Sequence, residues 1–337
     1  MRDCLIQYET PDYSPQKERE KEPHLKKRVI VIAGPTATGK SRLSLEMAKL
    51  IDGEIISADS VQVYREMDIG TAKVSQEERL QIPHHLIDIC DLCDGFNVKH
   101  FHEKATQAIR EVLKRGQTPI VVGGTGFYLH ALIYGPPEGP PASPEMREKL
   151  EEDMERFGPE ALYDRLCQYD PVYSETINYR DRHKIIRGLE IIALTGRKVS
   201  DFQKPKDAKP PLEFDFRCWF LYFPKEILYP RIEMRCDEML AEGFIEEVEY
   251  LQKIGLRENI TAAQAIGYRQ CLEFLSSERS NEDWERFVWE FKKASRRYAK
   301  RQFTWFRKEP FFRWVDIDIH GYQKVLELIL QDYESRY

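Results

Sequence analysis

The sequence lacks long hydrophobic runs, and this absence argues against a membrane-spanning protein. Its longest apolar stretches, at residues 29–33 and 120–122, are far shorter than a transmembrane helix requires. The first nine residues also lack the basic start and the apolar core of a secretory signal. We therefore expect a cytoplasmic protein with no membrane partner.

The sequence also lacks the paired cysteines of a zinc site and an overall excess of basic residues. Of its seven cysteines only Cys90 and Cys93 are close together, and no second pair or His-x-His cluster accompanies them. Reduced thiols of a cytosolic protein are the simpler interpretation. The formal net charge is −6, so any nucleic-acid contact must come from a local basic patch.

Strands and helices are predicted to alternate through the first half of the chain. Short β-branched or apolar segments at 29–33, 54–56 and 120–122 are typical of buried parallel strands. Residues 41–51 and 101–114 carry apolar residues at helical spacing. This alternation predicts an α/β fold, a parallel sheet covered by helices on both faces.

Two proline-containing breaks, at residues 135–144 and 205–211, divide the chain. The segment between them is helical in pattern and predicts a small all-helical insertion domain. A last part of the core resumes with a strand at 214–223 and is then mostly helical. We divide the chain into a flexible N-terminal extension at residues 1–27, a P-loop α/β core at 28–142 and 205–337, and the insertion at 143–204.

A phosphate-binding loop follows the first predicted strand. The residues Gly34, Pro35, Thr36, Ala37, Thr38, Gly39, Lys40 and Ser41 match the pattern G-x-x-x-x-G-K-[ST] before a predicted helix. The backbone N–H groups of such a loop surround phosphate oxygens, Lys40 adds a full charge, and the Ser41 hydroxyl is a potential Mg²⁺ ligand. The motif is typical of nucleotide-binding and ATP-binding proteins.

The third predicted strand lacks the carboxylate with which a typical NTPase holds its magnesium ion. It ends instead in Gly123, Gly124 and Thr125. This departure favours a loop that holds a diphosphate as a leaving group. The second strand runs into residues 57–60, where Asp59 should face the same crevice. From position alone Asp59 could bind Mg²⁺, cap a helix or act as a base.

Seven stretches of the sequence resemble the bacterial tRNA dimethylallyltransferases, also called tRNA isopentenyltransferases. They lie at residues 34–41, 57–64, 67–73, 83–88, 123–128, 265–270 and 298–306. The resemblance implies transfer of a dimethylallyl group from dimethylallyl diphosphate to the N6 amine of the adenosine immediately 3′ of the anticodon in tRNA, with release of diphosphate. It also implies Mg²⁺ as cofactor, and we expect a monomer.

The resemblance implies catalytic roles for five residues. Asp59 is the general base for the adenine amine, and Lys40 and Thr125 act with Ser41 and Mg²⁺ on the departing diphosphate. Arg147 points at the reacting centre, and Arg235 rather than Arg231 lines the diphosphate channel.

Contacts with the tRNA anticodon stem-loop are implied for three groups of residues. Lys184 stands where many relatives have arginine. A lysine keeps the positive charge but cannot bind a phosphate group through two parallel hydrogen bonds. For Arg231 and Arg235, a solvated helix face remains the alternative to a role in the diphosphate channel. The implied tRNA-binding residues are Asp59, Ser60, Val61, Gln62 and Thr125 near the crevice, Arg147, His183, Lys184, Ile185, Ile186 and Arg187 in the insertion, and Gly267, Tyr268 and Arg269 beyond it.

Residues 292–308 contain eight basic side chains and no acidic one. On a helix the first six occupy one half of the circumference, as a phosphate backbone would require. We therefore expect RNA contact from Arg296, Arg297, Lys300 and Arg301 in particular. Aromatic residues among them are expected to pack the helix down or to stack on a base.

Three other functions are weighed against this one. A small-molecule P-loop kinase would explain the loop but not the basic helix. A prenyltransferase acting on free adenine nucleotides would need neither that helix nor the insertion. A non-catalytic RNA-binding protein would not need Lys40, Ser41, Asp59 and Thr125 together. The adjacent His84 and His85 are interpreted as packing residues, not as metal ligands.

Overall fold

A computed structural model of the chain describes residues 27–202 and 213–335. The predicted extension before residue 27 and the proline-containing break at 205–211 therefore lie outside the described residues. The chain divides into two compact units, of which the first contains residues 27–133 and 213–335 and the second residues 134–202. Within the described ranges, no helix combines the length and the apolar composition needed to cross a bilayer.

The first unit is built on one parallel sheet, which confirms the predicted fold class. The sheet order is β3-β2-β4-β1-β5-β6, and every neighbouring pair of strands is parallel. The strands described are β1 (Arg28–Ala33), β2 (Gly53–Ser57), β3 (His84–His85), β4 (Thr118–Gly123), β5 (Asp215–Tyr222) and β6 (Arg313–Asp316).

Helices cover the sheet and form the second unit. Those described are α1 (Lys40–Ile51), α2 (Gln76–Gln81), α3 (Val98–Lys114), α4 (Gly126–Tyr134), α5 (Pro144–Tyr169), α6 (Pro171–Ser174), α7 (Arg182–Thr195), α8 (Lys225–Ala241), α9 (Phe244–Lys253), α10 (Ile260–Ala263), α11 (Tyr268–Leu275), α12 (Asn281–Phe306) and α13 (Ile317–Glu334). A short 3-10 helix lies at Val199–Phe202.

The central strand β1 is buried on both faces, as its unbroken apolar sequence predicts. Ile30 pairs in register with Ile120 of β4 and with Arg217 of β5. Leu43 and Met47 of α1 pack against one face of the sheet in a shared hydrophobic cluster. Strands β1, β2 and β4 therefore end at one edge of the sheet, where their loops meet.

The second unit has its own hydrophobic core, and its described residues contain no strand. Leu150 and Leu166 of α5 pack with Ile185 and Leu189 of α7. Helix α5 is kinked at Gly158, where φ is 81°. The unit begins at Tyr134, before the predicted insertion boundary at residue 143.

Strand β3 and helix α13 are among the elements of the first unit that the sequence patterns did not predict individually. The strand β3 has only two residues, too few for a recognisable hydrophobic period. Helix α13 follows β6 directly, so the last strand ends at Asp316. Val325 and Ile329 of α13 pack in the same hydrophobic cluster as Leu43 of α1.

Candidate active site

The carboxyl ends of β1, β2 and β4 open onto a cavity of about 610 Å³ in the first unit. The location agrees with the crevice expected for a parallel sheet. The predicted site residues that line it are Thr36, Ala37, Gly39, Lys40, Ser41, Asp59, Ser60, Val61, Gln62, Arg235, Tyr268 and Arg301. Twelve of the residues predicted for the site thus line one cavity.

The phosphate loop has the backbone of an anion-binding nest. Ala37 and Gly39 both adopt left-handed conformations, with φ of 63° and 78°. A Cβ atom on Gly39 would lie 2.2 Å from the Tyr322 hydroxyl, so only glycine fits there. That hydroxyl donates a hydrogen bond to the Thr38 carbonyl oxygen over 2.7 Å. Helix α13 thus fixes the loop from behind.

Lys40 is buried under its own loop. Its Nζ atom donates to the Pro35 carbonyl oxygen at 2.6 Å. Burial and the nearby Arg235 guanidinium lower the pKa of Lys40 to about 7, against the opposing effect of Asp59. An anion bound next to Lys40 would therefore raise the pKa of the lysine again and favour its protonated form.

Helix α8 presents two arginines to the loop, and their surroundings differ. Arg231 donates from Nε to the Ala37 carbonyl oxygen at 3.0 Å and lies over the Phe223 ring. Arg235 lines the cavity and has no ion pair within residues 27–202 and 213–335. Burial lowers the pKa of Arg235. Arg231 therefore supports the loop, while Arg235 is the one available to a ligand.

Asp59 is held in one orientation by its own turn. Its Oδ1 atom accepts backbone N–H bonds from Val61 at 2.8 Å and from Gln62 at 3.2 Å. Among the described residues, nothing donates a hydrogen bond to Oδ2. One carboxylate oxygen is thus anchored and the other is left for a ligand in the cavity.

A group of buried polar atoms lies at the end of β4. Gln302 donates from Nε2 to the Gly124 carbonyl oxygen at 2.9 Å. Its Oε1 atom and the Thr125 hydroxyl are buried without a well-formed hydrogen bond in the described part of the chain. Burial and the charge of Asp59 raise the pKa of Tyr298, another cavity residue, to about 12. A substrate would find acceptors and neutral hydroxyl groups here.

Tyr298 and Gln302 were not assigned to the site from the sequence, although both lie in a stretch that carries the family resemblance. The basic residues around them dominate the sequence pattern and indicate the outer face of the helix as the functional one. Helix periodicity does place Tyr298 and Gln302 on the face opposite the charges, and this face is the one turned to the cavity.

The basic stripe of α12 is partly neutralised. Lys292 pairs with Asp237 of α8, and Arg296 pairs with Glu233 of the same helix. Arg297 and Lys300 are exposed and make no ion pair with other described residues. Arg301 lies over the Tyr298 ring at 5.5 Å. The free basic surface is therefore narrower than the sequence pattern indicated.

Among the other residues singled out from the sequence, Gly267, Arg269 and His85 do not line the cavity. Gly267 precedes Tyr268 with φ of 88° and begins α11. Arg269 is exposed and 3.6 Å from Glu273, an ordinary surface pair. The His85 Nε2 atom lies 2.5 Å from the Glu54 carboxylate. His84 lines the cavity, and its Nε2 atom is buried without a described partner.

The second unit carries its predicted residues around one buried carboxylate. Glu190, fully buried, accepts hydrogen bonds from Arg147, Arg187 and the Ser143 backbone N–H. Burial alone would raise the pKa of Glu190, but these donors outweigh it and lower the pKa. Arg147 thus has a partner inside its own unit.

The side chains of α7 that are predicted to bind RNA differ in their exposure to solvent. Ile185 and Ile186, for which RNA contact is expected, are buried in the core of the second unit. His183 and Lys184 are exposed at the start of the helix. His183 also lines a cavity of about 230 Å³ with Arg147 and Arg187.

Comparison with known proteins identifies relatives along most of the chain. A family model described as "IPP transferase" matches residues 62–309. A tRNA dimethylallyltransferase of Protochlamydia amoebophila (strain UWE25) is 57% identical over 309 residues, which cover 92% of this chain and 90% of that protein. The protein of the same name from Chlamydia felis (strain Fe/C-56) is 46% identical over 308 residues, covering 91% of this chain and 90% of its own.

Solved structures agree with the sequence matches. The full-length tRNA isopentenylpyrophosphate transferase of Bacillus halodurans is 38% identical with a TM-score of 0.65, covering 91% of this chain and 97% of that one. A eukaryotic dimethylallyltransferase acting on tRNA is 29% identical with a TM-score of 0.76, covering 92% of this chain and 80% of that one.

Proposed function

The chain belongs to the IPP transferase family and catalyses dimethylallyl transfer onto tRNA, and from this premise we propose the acceptor atom and the roles of the site residues. The acceptor is the N6 amine of the adenosine immediately 3′ of the anticodon, and the donor is dimethylallyl diphosphate. The observation that supports this best is one cavity that contains the carboxylate of Asp59 opposite the cations Lys40 and Arg235.

Asp59 acts as the general base. The adenine amine is a weak nucleophile because its lone pair is delocalised into the ring. The N6–C bond forms as the donor C–O bond breaks, and the amine proton passes to the free Oδ2 atom of Asp59. A positioned base of this kind contributes roughly 10²- to 10⁴-fold to a rate. The two backbone N–H bonds to Oδ1 keep it in place.

The phosphate loop, Lys40 and Arg235 bind the diphosphate. Negative charge on this group grows as the C–O bond breaks, so fixed cations and N–H dipoles stabilise the transition state more than the ground state. Tyr298 and Gln302 complete the cavity wall, and the buried Thr125 hydroxyl lies next to Tyr298. We assign them to positioning of the reacting groups.

The residues of the cavity fit a magnesium ion only together with the donor. No three His, Cys, Asp or Glu side chains in the described ranges form a metal site. The Ser41 hydroxyl lines the cavity beside Lys40 and is an oxygen ligand of the kind Mg²⁺ accepts along with substrate phosphates. Bound there, the ion would neutralise diphosphate charge. We also place the enzyme in the cytoplasm as a monomer.

Recognition of tRNA is assigned to the exposed cations of α12 and to the second unit. Arg297 and Lys300 are free for phosphate contacts, and Arg301 reaches the cavity itself. Chemistry on a stacked adenine requires the base to be turned out into a pocket. A cavity of about 610 Å³ has room for both the nucleobase and the donor.

The test combines protein, Mg²⁺, dimethylallyl diphosphate and unmodified tRNA, followed by mass analysis of the nucleosides. An isopentenyl increment on the predicted adenosine is expected, and Asp59→Asn should slow its appearance about 10²- to 10⁴-fold. Asparagine is the matched change because its side-chain oxygen can still accept the Val61 and Gln62 N–H bonds. Prenylation of AMP alone would favour the nucleotide-level alternative, and ATP consumption without transfer would favour the kinase.

A further inference from the structure

Glu247 of α9 binds the backbone of a loop that forms one wall of the cavity. Its Oε2 atom accepts N–H bonds from Asp68 at 2.8 Å and Ile69 at 2.6 Å, and its Oε1 atom accepts from Gly70 at 3.1 Å. The Tyr268 hydroxyl donates to Oε1 at 2.6 Å. One carboxylate thus receives four hydrogen bonds, yet it does not line the cavity.

The close approach of this loop to α9 depends on Gly70. A Cβ atom on Gly70 would lie 2.3 Å from the Phe244 ring and 2.7 Å from the Tyr268 ring, so only glycine lets the loop approach α9. Burial and the charge of Glu247 raise the pKa of Tyr268 well above its usual range. The tyrosine therefore remains a hydrogen-bond donor to the carboxylate at all physiological pH values.

The same loop is connected to the turn that carries Asp59. Gln62 donates from Nε2 to the Thr71 carbonyl oxygen at 3.1 Å, and its Oε1 atom accepts from the Ser57 hydroxyl at 3.0 Å. The backbone N–H of Gln62 in turn donates to Asp59 Oδ1 at 3.2 Å. Both ends of the Gln62 amide are therefore used to tie the Asp59 turn to the loop and to β2.

These contacts form one continuous series from α9 to the carboxylate of Asp59. We propose that Glu247 is a positioning residue for Asp59, acting through the loop at residues 68–71 and the side chain of Gln62. The inference rests on the proposed function, in which Asp59 is the base. Since displacement of a catalytic group by about 1 Å costs on the order of 10²-fold in rate, a loosened loop would reduce turnover without removing any group that touches substrate.

Lys73 also holds the loop at residues 68–71, which limits the loss of turnover expected from a change at Glu247. Lys73 donates to the Tyr64 carbonyl oxygen at 2.6 Å and to Asp68 Oδ1 at 2.7 Å, so the far end of the loop is held independently. We therefore expect a partial loss of about 10- to 100-fold in turnover for Glu247→Gln. The variant removes one of the two acceptor oxygens and the charge with little change of shape.

The experiment is a single-turnover measurement of dimethylallyl transfer to tRNA, with active sites counted by binding of inorganic pyrophosphate. Glu247→Gln should lower the rate per active site while the affinity for pyrophosphate stays within about twofold. Glu246→Gln is the matched control, since it removes a charge from the same turn of α9 and Glu246 is exposed. An unchanged rate for Glu247→Gln would overturn the proposal.

A double-mutant cycle then separates positioning from general stability. In the Asp59→Asn background Glu247→Gln should have no further effect, because there is no base left to position. A full 10- to 100-fold loss in that background would overturn the proposal. If the Asp59→Asn variant alone turned over at the wild-type rate, both the assignment of Asp59 as the base and the positioning role of Glu247 would be overturned. If Glu247→Gln does not fold, Gln62→Met breaks the same series at its other end and must show the same dependence on Asp59.

Discussion

Arg235 and Lys40 line one cavity, where burial together with the Arg235 guanidinium lowers the pKa of Lys40 to about 7. Neither side chain has an ion pair with another described residue. Such an arrangement is unfavourable until a strongly negative group enters between the loop and α8. The electrostatics of the cavity are therefore matched to a diphosphate.

The first prediction concerns protons taken up when diphosphate binds. Because the pKa of Lys40 is about 7 without ligand and a bound anion raises it, the lysine is charged below pH 7 and largely neutral above it. At pH 8, binding of pyrophosphate should therefore take up as much as about one proton. Its affinity should fall as pH rises above about 7, by at most about tenfold per unit.

Calorimetric titration in buffers of different ionisation enthalpy measures this uptake. Lys40→Arg is the matched variant, since arginine stays charged at pH 8 and should take up correspondingly fewer protons. Lys49→Met, which changes an exposed lysine at the other end of α1, should behave as wild type. Equal proton counts for wild type and Lys40→Arg would contradict the predicted role of Lys40.

The second prediction separates the two arginines of α8. Arg235→Met should raise the donor KM and lower kcat, together about 10²- to 10³-fold in kcat/KM, because a cation on the leaving group is lost. Arg231→Met removes a hydrogen bond of 3.0 Å to the Ala37 carbonyl oxygen and should chiefly lower stability, by about 1 kcal/mol. Steady-state kinetics and thermal unfolding check both. A larger kinetic loss for Arg231→Met would reverse the assignment.

The sequence was sufficient for the strands β1, β2, β4 and β5 and for the spacing of the loop residues, because both follow from local patterns. β1 is an unbroken apolar run, and the loop has a fixed glycine and lysine spacing. Other features depend on contacts between distant segments. Glu247 lies in an ordinary amphipathic helix, and only folding brings it to the Asp68 backbone N–H. The pairing of Arg296 with Glu233 is equally invisible to helix periodicity.

The third prediction concerns stability of the second unit. The pKa of Glu190 is lowered, because hydrogen bonds from Arg187, the Ser143 N–H and Arg147 outweigh the effect of burial. Glu190→Gln should destabilise this unit at pH 7 by roughly 1.5–3 kcal/mol, as expected for hydrogen bonds to a charged group. Hydrogen exchange of α5 and α7 in the full chain measures the loss.

The pH dependence of stability shows whether the ionised form of Glu190 is the stabilising one. A lowered folded-state pKa means that ionised Glu190 stabilises the fold above its unfolded pKa, and that this stabilisation disappears as pH falls through the folded value. The difference between wild type and Glu190→Gln should therefore shrink in acid. Glu148→Gln, an exposed change on α5, should have little effect at either pH. A difference that grows in acid would contradict the ionised state.

The fourth prediction tests which cations of α12 contact tRNA. Arg297 and Lys300 are free, whereas Lys292 and Arg296 are already paired with Asp237 and Glu233. Binding of tRNA should weaken with salt, and each phosphate contact contributes about 0.7–0.9 to the slope of log K against log salt. Replacing Arg297 and Lys300 with glutamine should therefore flatten the slope by roughly 1.5, while donor affinity is kept. The matched pair Lys292→Gln with Arg296→Gln removes the same charge from the same helix and should change the slope much less. Equal flattening by the two pairs would show that tRNA displaces the ion pairs, and the whole basic stripe would then be the binding surface.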